Sequence, residues 1–268
     1  MRTWLVKSAA FVGLSFLAFS AQADVLPAFN LTFDQYTGSA PKNYFSNVQP
    51  VGWTLGTTRG NLLFIDSSGA PGCSACADGP VYLSVYGPFP APPVGGNYVE
   101  ADGNPDFESV FYEQITGLTP GQTYSLSFYQ AAGQQVGFRG DTTEQWIVSL
   151  GTSALTNHYI GGNLYAYSNP DSSASIAVSP LMNTPSGGLH GWEYVTMDLT
   201  ADASTQLLSF LAWGNNGSNI NLPPMVFLAG VNQPDVIPEP ATLWLFGIGL
   251  LGFGASRLRR PGKRTVAV

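Results

Sequence analysis

Positive charge is scarce through the middle of this chain. Of its ten Lys and Arg residues, Arg2 and Lys7 lie near the start, Arg257, Arg259, Arg260, Lys263 and Arg264 lie near the end, and only Lys42, Arg59 and Arg139 stand between. All 17 Asp and Glu residues fall from Asp24 to Glu239. A body that acidic repels phosphate backbones, which excludes nucleic acid as a partner. Cysteine is almost as rare. Cys73 and Cys76, in the stretch CSAC, are the only two, and the only histidines, His158 and His190, are distant in sequence. That set is too poor for a four-ligand zinc site. There is no Gly-x-Ser-x-Gly elbow, and neither histidine sits in a catalytic signature, so surface or packing roles are expected for both. An amphipathic helix and a tandem repeat are also missing from the body.

Long apolar runs are confined to the two ends. Arg2 and Lys7 precede a run from Ala9 to Phe19, and Ala21, Gln22 and Ala23 supply the small residues that signal peptidase requires. Residues 1–23 are therefore expected to be a secretory leader. Near the other end, 15 residues from Ala241 to Ala255 carry no charge. At about 1.5 Å per residue they reach roughly 23 Å of a ~30 Å hydrocarbon core, a short span. Gly247, Gly249, Gly252 and Gly254 would each weaken a helix in water by about 1 kcal/mol, which favours a short transmembrane helix over a soluble one. Arg257, Arg259 and Arg260 can snorkel and hold their side of the span in the cytoplasm. Both ends then give one topology, with the acidic body outside. The expected division is leader 1–23, body 24–235, sorting and anchor segment 236–262, and basic cytoplasmic tail 263–268.

What the body does have is short runs of Val, Tyr, Phe, Trp, Leu and Thr between clusters of Gly, Pro, Asn and Ser. This pattern predicts an all-β fold, a single jelly-roll-like β-sandwich. Candidate strands are 30–33, 52–55, 61–66, 81–86, 97–101, 109–115, 124–131, 145–150, 192–199, 206–212 and 225–231. Tyr124, Leu126 and Phe128 alternate with Ser125, Ser127 and Tyr129, and Trp146, Val148 and Leu150 share a face in the same way. Between strands, Pro120-Gly121 predicts a tight turn, either a hairpin or a corner between sheets.

Three constellations carry possible chemistry. Cys73 and Cys76, in an exported Gly/Pro/Ser-rich loop, are expected to form a local disulfide. Asp102, Asn104, Asp106 and Glu108, with Glu100 before and Glu113 beyond, alternate oxygen-bearing side chains that could wrap Ca²⁺. Phe107 replaces the glycine that an EF-hand loop needs, and a solvated acidic loop is the other reading. In GFRGDTTEQW (137–146), Arg139, Asp141 and Glu144 offer directional hydrogen bonds beside Trp146, a ring able to stack on sugar, although alternation also puts Trp146 in the core. No other cofactor is expected.

The succession of Pro238, Glu239 and Pro240, a Gly-rich apolar segment and a terminal Arg cluster resembles the PEP-CTERM sorting signal. That motif is also called the ice-binding protein C-terminal motif, a label that implies no ice binding. The resemblance implies export, a precursor anchored in the inner membrane of a Gram-negative bacterium, and cleavage near the Pro-Glu-Pro by an exosortase-type membrane protease. Exopolysaccharide is the expected surrounding. The body, with Gly52-Trp53-Thr54, YVEADGNPDF, YQAAGQQVGFRGDTTEQWIVSLG and PPMVFLAGV, is similar to the galactose-binding-like β-sandwich modules found in such proteins. Ala229 stands where related sequences often carry an Asp that helps hold a ligand or ion. The resulting expectation is a noncatalytic envelope or extracellular-matrix protein, structural or glycan-binding. The alternative is a secreted polysaccharide hydrolase, which needs two carboxylates about 5 to 9.5 Å apart.

Overall fold

In the computed structural model the described residues are 23–27, 30, 32–38, 42–44, 49–56, 62–65 and 84–232. Residues 1–22 of the expected leader, the Cys73 and Cys76 pair, and the segment from Pro238 to Arg260 lie outside them. The early strands are short: β1 (Asp24–Val25), β2 (Tyr36–Thr37), β3 (Lys42–Tyr44), β4 (Gln49–Pro50), β5 (Trp53–Leu55) and β6 (Leu62–Ile65). Longer ones follow: β7 (Tyr98–Asp102), β8 (Val110–Thr116), β9 (Thr123–Gln134) and β10 (Thr142–Gly151). The rest are β11 (Thr156–Gly161), β12 (Leu164–Ser168), β13 (Ser175–Val178), β14 (Met182–Thr184), β15 (Leu189–Thr200), β16 (Thr205–Gly214) and β17 (Pro224–Ala229). Among the described residues there is no α-helix and none long and apolar enough to cross a membrane.

Two sheets face each other. In the first, β9 carries β15 along one edge and β17 and β1 along the other, with β7, β6 and β3 following β17. In the second, the order is β13, β10, β16, β8, β5, with β14 beside β13 on the edge of β10. Alternation explains the layer between them. Leu126, Phe128, Val226, Leu228, Val99 and Ala101 point inward from the first sheet, and Phe111, Trp146, Val148, Leu150, Leu208 and Phe210 point inward from the second. Phe210 stacks on Phe111 with ring centres 5.5 Å apart and meets the edges of Phe128 and Trp146, the offset and T-shaped arrangements that aromatic quadrupoles favour.

The outer faces are covered as well. The proline-rich segment from Ser84 to Asn97 straps the first sheet, seating Phe89 on Phe227 and Trp192, whose Nε1 donates to the Pro90 carbonyl at 2.8 Å. The β11–β12 hairpin covers part of the second, with Tyr167 edge-on to Trp213. Pro120-Gly121 is a corner between sheets, leading from β8 to β9. Gly121 takes φ 84°, its N–H donates to Ala201, and the Tyr124 hydroxyl accepts from the Thr119 N–H at 2.9 Å.

The strand expected at 30–33 is a correction. Asn30 and Phe33 both have positive φ, and the Asn30 carboxamide bonds the backbone of Gln35 and Val51. A side chain that satisfies local backbone groups this way competes with strand pairing and makes a turn. At 84–86 only a single bridge, Val85 to Gln135, forms.

Candidate functional site

One end of the sandwich is built by three chain segments that the sheets bring together. Antiparallel register sets Thr142 opposite Thr184, Thr143 opposite Asn183 and Glu144 opposite Gly214. Just beyond Gly214, Asn215 and Asn216 turn the chain with φ of 49° and 51°, a region that Asn adopts more readily than most residues. Buried Gln134 ties two of the loops, its Nε2 donating to the Gly140 carbonyl and its Oε1 accepting from the Gly187 N–H, each at 2.6 Å. Asp141 Oδ1 accepts from the Ser186 N–H at 2.9 Å.

Between these loops lies a cavity of about 540 Å³. Its walls are Asp141, Thr142 and Thr143 on β10 and its approach, Asn183, Thr184 and Pro185 on the β14 side, and Asn215, Asn216 and Ile220 on the third. Most of these residues carry a hydroxyl, a carboxamide or a carboxylate, although the exposed lining surface is more apolar than polar. Among the described residues no Lys, Arg, His or aromatic ring contributes to it. Thr142 is buried, and its Oγ1 has no partner in hydrogen-bond geometry. Beside it, on the inward face of β10, Glu144 is fully buried. Thr184 donates to Glu144 Oε2 at 2.8 Å, while Oε1 receives no hydrogen bond. Burial pushes the Glu144 carboxyl up to about 7, against the opposing pull of the Thr142 and Thr184 hydroxyls.

The four residues singled out in 137–146 therefore separate. Asp141 lines the cavity and Glu144 lies beside it. Exposed Arg139 stacks on the Tyr86 ring, 5.1 Å from its centre. Trp146 is fully buried in the core, with Nε1 donating to the Phe227 carbonyl at 3.1 Å, where no sugar can reach its face.

The acidic stretch is occupied by protein donors. Asp102 Oδ1 accepts from the Asn104 N–H at 2.8 Å, and Asn104 Oδ1 accepts from the Asp106 N–H at 3.1 Å. Asp106 takes the Tyr165 hydroxyl and the Asn219 carboxamide, and Glu108 Oε1 accepts from the Asn157 N–H at 2.9 Å. Among the described residues no three His, Cys, Asp or Glu side chains gather as a metal site would require. Asn183, Thr184, Asn215 and Asn216 were not among the sequence candidates. The only signal for any of them is the turn-forming pair Asn215-Asn216.

Residues 236–260 match the family model described as the PEP-CTERM protein-sorting motif. The motif implies an exported protein handled by an exosortase-type system. No curated protein matches the chain. Among solved structures, the chain is similar to the CBM22-1–GH10 modules of Clostridium thermocellum endo-1,4-β-D-xylanase 10B in complex with xylohexaose, at 11% identity and a TM-score of 0.34. That match covers 67% of this chain but 26% of the xylanase chain, so the likeness spans about a quarter of that chain. It is also similar to the K1 cleaved adhesin domain of Lys-gingipain from Porphyromonas gingivalis W83, at 12% identity, 72% and 96% coverage and a TM-score of 0.34. A family 16 carbohydrate binding module matches at 14% identity, 52% and 78% coverage and a TM-score of 0.25. No function is carried over from likenesses this distant.

Proposed function

We propose that this chain is a noncatalytic glycan-binding protein, displayed on the envelope or released into the extracellular polysaccharide matrix of a Gram-negative bacterium after exosortase-type processing. The observation that carries the reading is the cavity at the start of β10. Its volume, about 540 Å³, falls in the roughly 300–1,000 Å³ range of small-ligand sites. Its exposed lining surface is mixed, with apolar area exceeding polar, and Asp141, Asn183 and Asn215 offer donors and acceptors that a polyhydroxylated ligand satisfies. Asp141 without a cationic partner in the lining favours neutral glycans over uronate-bearing or sulfated ones.

Binding is tested by calorimetry and by affinity electrophoresis of the intact chain in neutral polysaccharides. Asn183→Ala is the informative variant, because the Asn183 side chain is exposed, lines the cavity and makes no hydrogen bond among the described residues. Loss of one neutral hydrogen bond weakens binding by roughly 2- to 10-fold, with melting unchanged. Wild-type binding that Asn183→Ala leaves untouched would move the site elsewhere.

A second reading, hydrolysis of the same class of polysaccharide, draws on Glu144. A carboxyl held near 7 is half-protonated at neutral pH, as a general acid must be. Glu144 is fully buried and outside the cavity lining, however, so this reading also requires the start of β10 to open before a sugar can reach it. Release of reducing ends from polysaccharide, abolished by Glu144→Gln, would support it over simple binding.

A further inference from the structure

The chain segments that lead to the membrane leave the sandwich at one end, and the cavity opens at the other. β1 runs parallel to β9 from Asp24 opposite Tyr124, at the start of β9, and Leu26 is buried in the core. β17 comes down the same edge of β9 from Pro224, opposite Gln134, to Ala229, opposite Tyr129. The two meet at Asn232. Its N–H donates to the Ser127 carbonyl, its Oδ1 accepts from the Ser127 N–H, and its Nδ2 donates to the Leu26 carbonyl at 2.6 Å. One side chain thus joins the first and last pieces of the fold beside β9.

From this point the sorting motif is close. Five residues separate Asn232 from Pro238, so six steps of extended chain reach at most roughly 20 Å. Ser127 lies four residues inside the start of β9, which uses roughly 13 Å of that reach. Pro238 can then clear the end of the sandwich by only several ångströms. That end is formed by the turns at 117–122 and 201–204, which bond each other through Leu118, Gly121 and Ala201. In the other direction β9 runs from Ser127 to Gln134, roughly 23 Å, and Gln134 ties the loops of the cavity. Among the described side chains no basic patch pulls the sandwich flat against an anionic surface: Arg139 is exposed at the cavity end, while Asp24, Asp198 and Asp202 are exposed toward the tethered end. Charge therefore opposes close contact of that end with anionic lipid, and it is the short tether at Asn232 that sets which end faces the membrane.

We propose that, while the tail is still in the bilayer, the sandwich stands end-on, with the turns at 117–122 and 201–204 facing the membrane and the cavity directed away from the surface. A site presented this way is open to ligand before the tail is cut, so recognition does not wait for release.

The test uses the full chain, leader removed, reconstituted in phosphatidylethanolamine–phosphatidylglycerol vesicles that contain a headgroup-nitroxide lipid. A fluorophore is placed at Ser204→Cys or at Asn183→Cys, and the parent chain gives the background from Cys73 and Cys76. The expected result is quenching at Ser204→Cys severalfold stronger than at Asn183→Cys. Gln122→Cys, in the facing turn, replaces Ser204→Cys if that variant melts early. Equal quenching, or stronger quenching at Asn183→Cys, overturns the orientation. A chain that fails to float with the vesicles overturns it too, by removing the anchor, while polysaccharide binding by the same preparation would leave the glycan reading intact.

Discussion

Replacing Glu144 with Gln should remove a pH dependence that the fold builds into the start of β10. The carboxyl moves from an ordinary 4.5 to about 7 because it is buried, which outweighs the opposing pull of the Thr142 and Thr184 hydroxyls beside it. Between those two values the folded protein keeps a proton that the unfolded chain has released, so stability falls as pH rises across the window and levels off above it. Each tenfold step is worth 1.36 kcal/mol, and the whole loss is about 3 kcal/mol. For a body of about 210 residues, an unfolding entropy near 2.1 cal/mol/K per residue converts that loss to roughly 7 °C in Tm. The assay is thermal unfolding followed by circular dichroism, with Tm of wild type and Glu144→Gln compared at intervals from pH 5 to pH 8. Wild-type Tm should fall relative to the variant as pH rises, because Gln keeps the shape and the acceptor for Thr184 but has no proton to release. Parallel curves would refute the reasoning, since they would mean that Glu144 titrates no differently in the folded protein than in the unfolded one.

Other outcomes follow from packing and from the acidic stretch. Trp146→Ala should cost about 3–5 kcal/mol in denaturant unfolding, because a fully buried ring and its bond to Phe227 are lost together. Polysaccharide affinity measured well below the melting temperature should survive that change. Gly214→Ala should destabilise by about 1–3 kcal/mol or more, since the added methyl would stand 2.1 Å from Pro224 Cγ and 3.2 Å from the Gly103 carbonyl. Chelation by EDTA, and addition of millimolar Ca²⁺, should leave Tm unchanged, because protein donors already meet Asp102, Asn104, Asp106 and Glu108. A rise of several degrees with Ca²⁺ would show that those donors yield to a cation.

Alternation made the long strands legible. Leu126 and Phe128 on β9, and Trp146, Val148 and Leu150 on β10, are inward-facing as the two-residue period requires. Pro120-Gly121 was legible as a turn because Pro and Gly each restrict or permit one backbone angle. The β11–β12 hairpin was not, since Asn157, His158 and Tyr159 lie on a partly exposed flap whose burial comes from Trp213, more than forty residues later. Asn30 looked like a strand residue until its side chain proved to be bonding Gln35. The cavity was the least legible feature. Asp141, Asn183 and Asn215 meet only through the register of β10 with β14 and β16, a long-range pairing that local spacing does not encode. Glu144 sits on the inward face by the same alternation that places Trp146, and its raised proton affinity reflects the burial that the pairing creates.

The most direct measurement is the mobility of the intact, natively purified chain in gels containing neutral polysaccharide, run beside Asn183→Ala and beside an acidic, uronate-rich polymer. The account predicts retardation in at least one neutral polymer, a clear loss of it in Asn183→Ala, and free migration in the acidic gel. Free migration of the wild-type chain in every polymer, including that of the producing organism, would contradict it.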